Sequence, residues 1–366
     1  FTFNFLSRNK SVTYENLTLR DPEYGSDINH WYADLVTADQ GFELPADNPP
    51  PPMFTPYQIG KLVLQNRVAV APMCQYSAED GTPTDWHLVH HGGFAKGGAG
   101  LIITEMTDIS PEGRISLKCA GMYKPEHMAG WRRVVDFVHE NSKSKICVQL
   151  AHSGRKGACN LGWVDGGAPL GNDEAWPILS ASRIPFTPES QVPKEMDRAD
   201  MDKVRDDFVQ SVEMAAEAGF DMIEFHAAHG YLLSSFISPV SNVRTDEYGG
   251  CLENRLRFPL EVLKAVRAVW PADKPISVRI SAEDWVGEAG NSGDEAVEIA
   301  KAFHADGADI INVSAGQTTT DAKPIYGRMF LAHLSEQIRL ETGIQTMTVG
   351  NITTPDQVNT ILAAGR

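Results

Sequence analysis

From Met53 onward the chain alternates short apolar runs with helical stretches, and this rhythm limits the possible folds more than any other feature. The runs are Arg67–Met73, Leu101–Glu105, Ile146–Leu150, Met222–His226, Ile276–Ile280, Ile310–Val313 and Thr346–Val349. Each is short and rich in β-branched residues, as strands covered on both faces must be. The clearest helix runs from Asp197, a natural N-cap, to Ala218 before Gly219, a natural C-cap, and Ala296–Ala305 before Gly307 is another. Strand-then-helix repeats imply right-handed crossovers and a parallel sheet. The fold expected is α/β, a (β/α)8 TIM barrel. Seven strands are counted where eight close a barrel, so the barrel is expected to be truncated before the eighth.

The rival architecture is an open doubly wound sheet, which brings a glycine-rich phosphate loop after its first strand. Here the first run is followed by Cys74-Gln-Tyr-Ser77, without glycine. Gly92, Gly93, Gly97, Gly98 and Gly100 follow a helix and precede a strand, the wrong order for a dinucleotide fingerprint. Helix capping and close helix–strand packing account for them better. The stretch from Ala151 to Met196 has no clear period and holds many glycines and prolines; a loop this long is usually functional, as a lid is.

Residues 1–48 are too poor in apolar side chains to form a core alone, and Pro49 to Pro52 form a stiff run suited to a spacer between domains, or else a surface loop of one domain. The chain opens on Phe1 and stops at Arg366, which suggests a piece of a longer protein. A net charge of −16 argues against nucleic-acid binding. No apolar run is long enough to span a membrane. Five cysteines without a C-x-x-C pair offer no zinc or iron–sulfur site and fit a reducing, cytoplasmic setting.

Chemistry gathers where strands end. His226-Ala-Ala-His229-Gly-Tyr231 emerges from the fourth run: two imidazoles that can hold one carbonyl oxygen, and a phenol that can deliver a proton. The other strand ends carry Pro72, Met73, Cys74 and Tyr76, then Glu105 and Met106, then Gln149 and His152, then Arg279, then Gly350. Together they suit a flat polar cofactor and a carbonyl substrate. Singly each has a plainer reading: Arg279 a core ion-pair partner, Gln149 a backbone partner, Cys74 a small buried hydrophobe, the His pair half a metal site without further ligands. His87, His90 and His91 lie on a helix and read as structural or exposed.

Pro72-Met-Cys-Gln-Tyr76, Gln149-Leu-Ala-His-Ser-Gly-Arg155, His226-Ala-Ala-His-Gly-Tyr231 and Arg244-Thr-Asp-Glu-Tyr-Gly-Gly-Cys-Leu-Glu-Asn-Arg255 resemble the Old Yellow Enzyme family, in order and at the expected strand ends, over Met53 to Arg366. Met53-Phe-Thr-Pro56, leading into a hairpin, fits as well. The resemblance implies an FMN-dependent NAD(P)H oxidoreductase on a (β/α)8 barrel. It implies that Pro72, Met73 and Met106 cradle the flavin ring, that Cys74 tunes it, that Gln149 pairs with its pyrimidine edge and that Arg279 faces its N1 side. Gly350 would meet the phosphate. His226 and His229 would hold the substrate carbonyl, Tyr231 would donate the proton, and Tyr76 would line the substrate site. Cys251 departs from the usual serine of the last motif, with little expected effect. The family's phosphate-gripping Gly-Arg on an eighth strand is missing.

Phe5-Leu-Ser-Arg8, Ser11-Val-Thr-Tyr-Glu-Asn-Leu17 and Leu19-Arg-Asp-Pro22 resemble the tail of a flavoprotein monooxygenase. That arrangement is similar to the bifunctional salicylyl-CoA 5-hydroxylase and 2-aminobenzoyl-CoA monooxygenase/reductase group. It implies FAD in an upstream domain and an aromatic or unsaturated acyl-CoA as substrate. A stand-alone ene-reductase, a dienoyl-CoA reductase and a non-catalytic barrel scaffold are the alternatives; homo-oligomerisation is left open.

Overall fold

The computed structural model describes residues 19–171 and 173–366. The monooxygenase-like motifs between Phe5 and Leu17 lie outside the described residues. The first described helix, α1 (Pro22–Gln40), is capped by Asp21, whose side chain accepts from the Tyr24 N–H, and by left-handed Gly41. It buries Tyr32, Ala33 and Val36. Arg67 lies over the rings of both Tyr32 and Tyr57, tying the helix to the barrel. Within the proline run, Pro49 and Pro52 are buried, and Pro52 opens a 3-10 turn.

An antiparallel hairpin, β1 (Tyr57–Ile59) and β2 (Leu62–Leu64), follows Met53–Pro56 as expected. Then come β3 (Ala69–Val70), α2 (Asp85–Lys96), β4 (Leu101–Asp108), α3 (Pro125–Asn141) and β5 (Lys145–Ala151). A short parallel pair, β6 (Leu179–Ser180) and β7 (Lys194–Glu195), sits in the long loop region. The chain continues through α4 (Arg198–Ala218), β8 (Met222–Ala227), α5 (Leu232–Ile237), α6 (Leu252–Val269), β9 (Ile276–Ser281), α7 (Gly293–Ala305), β10 (Ile310–Ser314), α8 (Ala332–Thr342), β11 (Thr346–Thr348) and α9 (Pro355–Ala363). The main sheet has seven parallel strands in the order β11-β10-β9-β8-β5-β4-β3 and is curled, with helices outside: the architecture of a (β/α) TIM-type barrel. β3 and β11 are not paired with each other, and a cleft of about 470 Å³ lies between them.

All seven expected strands are present. The first is the one most changed, shrinking from Arg67–Met73 to Ala69–Val70. Pro72 has no N–H for a ladder bond, so the chain turns away there. Asp197 and Gly219 cap α4 as their chemistry requires. The glycine cluster packs as expected: a side chain on Gly92 would meet the Phe137 ring, and one on Gly100 would meet Asn66 backbone.

Strand periodicity sorts the side chains into two shells. Ile102, Val148, Phe225, Val278 and Val313 face the helices and join the main core. Their alternates face inward. At the bottom, Leu101, Ile103, Cys147, Met222 and Ile310 pack with Ile59 and Leu64, so the hairpin plugs the barrel floor. Further along, the inward positions of β5, β8, β9 and β10 turn polar: Gln149, Glu224, Ser277 and Asn312.

Candidate active site

The first polar layer is read from the strand register. Met106 pairs with Gln149, Gln149 with Glu224, and Glu224 with Ser277. Glu224 is its hub. Its Oε1 accepts from Gln149 Nε2 at 2.7 Å, and its Oε2 accepts from Ser277 Oγ at 3.0 Å and Asn312 Nδ2 at 2.7 Å. Glu224 was missed in the sequence. The signal was there: in Met222-Ile-Glu-Phe-His226 the polar residues fall at every second position of an apolar strand.

One layer up, His226 pairs with Arg279, and Arg279 with Asn312. Arg279 is 7% exposed, and its Nε has no hydrogen-bond partner. Burial, the largest influence, weakens its hold on its proton, while the Glu224 charge strengthens it. A buried guanidinium without a bonded partner of its own is a receptor for an electron-rich group. Gln149, by contrast, has its amide N–H₂ turned to Glu224.

The histidine motif closes over this layer. His226 and His229 ring centroids lie 5.1 Å apart, and His226 and Tyr231 lie 5.0 Å apart. His226 Nδ1 accepts from the Ala228 N–H at 3.2 Å, so the ring proton sits on Nε2, free to donate. His229 holds a left-handed backbone, φ 62°, a costly conformation for a side-chain-bearing residue. Two contacts fix it: its N–H donates to Ser281 Oγ at 2.8 Å, and its Nε2 lies 2.6 Å from Ser314 Oγ. Both imidazoles are held neutral, first by burial and then by Arg279. Burial likewise holds the Tyr231 phenol protonated, with Cys74 and Tyr76 adding to it.

The loop after β3 brings Pro72, Met73, Cys74 and Tyr76 to the rim, all at least partly exposed. The Cys74 thiol is pushed up to about 12, first by desolvation of the sulfur and then by Glu105 and Asp108. The Trp163 ring, from the long loop, meets Tyr76 edge-on at 5.8 Å. Lys156, in the same loop, donates to the carbonyls of His229 (3.0 Å) and Gln317 (3.1 Å) and lies over the rings of Phe186 and Tyr231. Arg155 donates to the carbonyls of Ile184 and Thr318. Asp284 accepts from Ser238, Asn291 and Thr318. These clamps on the mouth loops were also missed, because nothing local marks a loop-to-loop bond.

Some sequence-derived placements shift. Glu105 does not face the mouth. A register irregularity between Ile103 and Met106 turns it outward, where Oε1 lies 2.9 Å from His87 Nε2 of α2 and Oε2 accepts the Gln75 N–H. His87 is thereby structural, as expected. His152 is buried, with Nδ1 accepting from the Gly154 N–H. Gly350, at φ 110°, lines the cleft between β3 and β11 together with Asn312 and Thr348. Among the described residues no group of three or more His, Cys, Asp or Glu could hold a metal ion. No described helix is long and apolar enough to cross a membrane.

Known proteins resemble this chain in both sequence and fold. The chain is 42% identical over 316 residues to an NADPH dehydrogenase of Geobacillus sp. (strain WCH70), covering 86% of this chain and 87% of that protein. It is 37% identical over 330 residues to an NADH:flavin oxidoreductase of Gibberella zeae, covering 86% and 80%. Among solved structures, morphinone reductase superposes with a TM-score of 0.71 at 27% identity, covering 86% of this chain and 83% of that one. A 2-naphthoyl-CoA reductase superposes at 0.76, but at 23% identity over 48% of its own chain, which speaks to the fold alone. A family model matches residues 52–366, and the chain therefore belongs to the NADH:flavin oxidoreductase / NADH oxidase family, the FMN-dependent NAD(P)H enzymes of Old Yellow Enzyme type.

Proposed function

We propose that the chain reduces a C=C bond conjugated to a carbonyl, with NAD(P)H as electron source. The observation that carries this reading is the stacking of two inward layers: a Glu224 hub, and above it an unbonded, buried Arg279 level with His226, beside a second neutral imidazole and a protonated phenol. Arg279 fits the electron-rich edge of a reduced flavin, and Pro72, Met73, Cys74, Met106 and Gln149 would line its ring, with Gly350 toward its phosphate. FMN, when bound, carries the reducing equivalents from NAD(P)H to the substrate carbon.

The residues of the chain do the rest. His226 and His229 donate to the substrate carbonyl oxygen and stabilise the negative charge that grows there. Their neutrality leaves each imidazole one N–H, which donates without surrendering a proton to the oxyanion. Tyr231 gives its phenolic proton to the α-carbon. Tyr76 lines the substrate site, and Lys156 holds the His229 loop against the lid.

The finer reading follows the resemblance of Phe5–Arg8, Ser11–Leu17 and Leu19–Pro22 to the tail of a flavoprotein monooxygenase. The substrate is an aromatic or unsaturated acyl-CoA, and residues 1–48 with the Pro49–Pro52 spacer connect to an upstream monooxygenase. Titration of the FMN-loaded protein with 2-cyclohexen-1-one tests the site. The double variant His226→Ala/His229→Ala should lose enone binding yet keep flavin reduction by NADPH. Unchanged enone turnover in that variant would rule out the assignment.

A further inference from the structure

We infer that Ser314 sets the tautomer of His229: its hydroxyl donates to Nε2 and so keeps the ring proton on Nδ1, the nitrogen left to meet the substrate oxygen. The use of that tautomer rests on the reading of His229 as a carbonyl-holding donor given above.

The contact follows from register. Ser281 ends β9 and Ser314 ends β10, and the two are paired across the sheet. Each lies two residues beyond an inward residue, Arg279 or Asn312, so both hydroxyls enter the barrel mouth. His229, with its left-handed backbone at φ 62°, bonds to both. Its N–H donates to Ser281 Oγ at 2.8 Å, and its Nε2 lies 2.6 Å from Ser314 Oγ.

The two serines differ in where their own protons go. Ser281 donates to the Gly316 carbonyl at 3.0 Å, so its hydroxyl both accepts and donates. The Ser314 hydroxyl belongs to a residue only 5% exposed, and His229 Nε2 is its one hydrogen-bond partner among the described residues. If Nε2 carried the ring proton, it would donate to Ser314 Oγ, and the serine proton would be buried without an acceptor. If Nε2 is bare, the serine proton points at it and no donor is orphaned. A buried donor left unmade loses its hydration with nothing in return, so the second arrangement prevails. A doubly protonated ring would leave the same orphan, and burial together with Arg279 holds the ring neutral besides.

His226 reaches the complementary state through the backbone. Its Nδ1 accepts the Ala228 N–H at 3.2 Å, which leaves its proton on Nε2. The pair, with ring centroids 5.1 Å apart, therefore offers Nε2–H from one imidazole and Nδ1–H from the other. Two donors suit an oxygen with two lone pairs and growing negative charge, as on an enone carbonyl. With the proton on Nε2 instead, His229 would turn a lone pair toward that oxygen and oppose the charge. Ser314 acts through His229 and is a positioning residue.

The test uses the full chain loaded with FMN and isotope-labelled at its histidine ring nitrogens. Nitrogen NMR reads the tautomer directly, with the His229 signals identified by their loss in His229→Ala. Wild type should show Nδ1 protonated and Nε2 bare. Ser314→Ala should lose that pattern, and Ser314→Thr, which keeps a hydroxyl and suits a strand, should retain it. In stopped-flow reoxidation of reduced flavin, Ser314→Ala should need about tenfold more 2-cyclohexen-1-one for the half-maximal rate, and Ser314→Thr should stay near wild type. A proton on His229 Nε2 in wild type overturns the inference before any serine variant is made, and so does an Nδ1 proton that survives in Ser314→Ala. Where the Nδ1 proton is lost but enone affinity is unchanged, His229→Ala separates two failures. Weakened enone binding in His229→Ala overturns the positioning role of Ser314 alone. Wild-type binding there overturns the reading of His229 as carbonyl donor, and the positioning role with it.

Discussion

The barrel floor and the barrel mouth handle buried polar groups in opposite ways. On the floor's polar side, just above its apolar plug, Glu224 is charge-matched to Arg279 and bonded by Gln149, Ser277 and Asn312. At the mouth, His152, His226, His229, Tyr231 and Asp108 are all driven toward their neutral forms by burial, and few of their polar atoms are bonded. The floor is built to hold a fixed field. The mouth is built to keep protons where a reaction can use them. Fixed charges need partners in a low-dielectric interior, whereas movable protons need groups that have been left unpaired.

Breaking the floor should have the largest effect. Glu224→Ala leaves Arg279 uncompensated and three donors without an acceptor, and should cost about 3–5 kcal/mol in urea unfolding. A loss below about 1 kcal/mol would mean that the hub is not what holds the layer.

The mouth should instead show itself through pH. His152 is pushed down to about 4 by burial, from an ordinary 6.5. The unfolded chain then binds a proton that the folded chain refuses, so stability falls as pH drops from 6.5 toward 4 and this loss ends there. The slope is about 1.4 kcal/mol per pH unit, or about 2 kcal/mol by pH 5, and His152→Gln should remove it from a series of urea midpoints.

Asp108 runs the other way. Its folded form keeps a proton that the unfolded form releases near 3.8, so stability declines as pH rises above that value. Asp108→Asn, which breaks no hydrogen bond, should therefore be more stable than wild type at pH 7. A destabilised variant would mean that the carboxylate has a partner.

The smallest effect belongs to Lys156, lowered from 10.5 to about 8 by burial and by Arg155. Its ammonium is a burden below pH 8 that is relieved as pH rises toward 10.5. The full shift corresponds to about 3 kcal/mol, but the partly exposed ammonium is screened by solvent, so wild type should gain about 1 kcal/mol over that range relative to Lys156→Met.

The legibility of the molecule tracks the same division. The outward shell, with its helices and caps, was readable because it depends on local signals: β-branched runs, Asp197 before α4, Gly219 after it. Among site residues, His226, His229 and Tyr231 stood in one short motif, and the rings do converge. Arg279 and Gln149 were placed by strand ends, and register brings them to one interior. Glu105 went astray because a single irregularity in β4 reverses which face a side chain takes, and apolar pattern does not reveal it. Glu224, Asp284 and Arg155 escaped notice because their roles consist mostly of bonds to residues 29 to more than 160 positions away.

Strand and helix periodicity, capping chemistry and the order of the motifs were enough to specify a parallel barrel with a flavin-type mouth, since each depends on neighbours within a few residues. Which buried acid is bonded and which is left alone depended on how eight-residue and six-residue strands slide past one another. Electrostatics inside a low-dielectric core is decided by distances of a few ångströms between remote segments, and only the folded chain sets those distances.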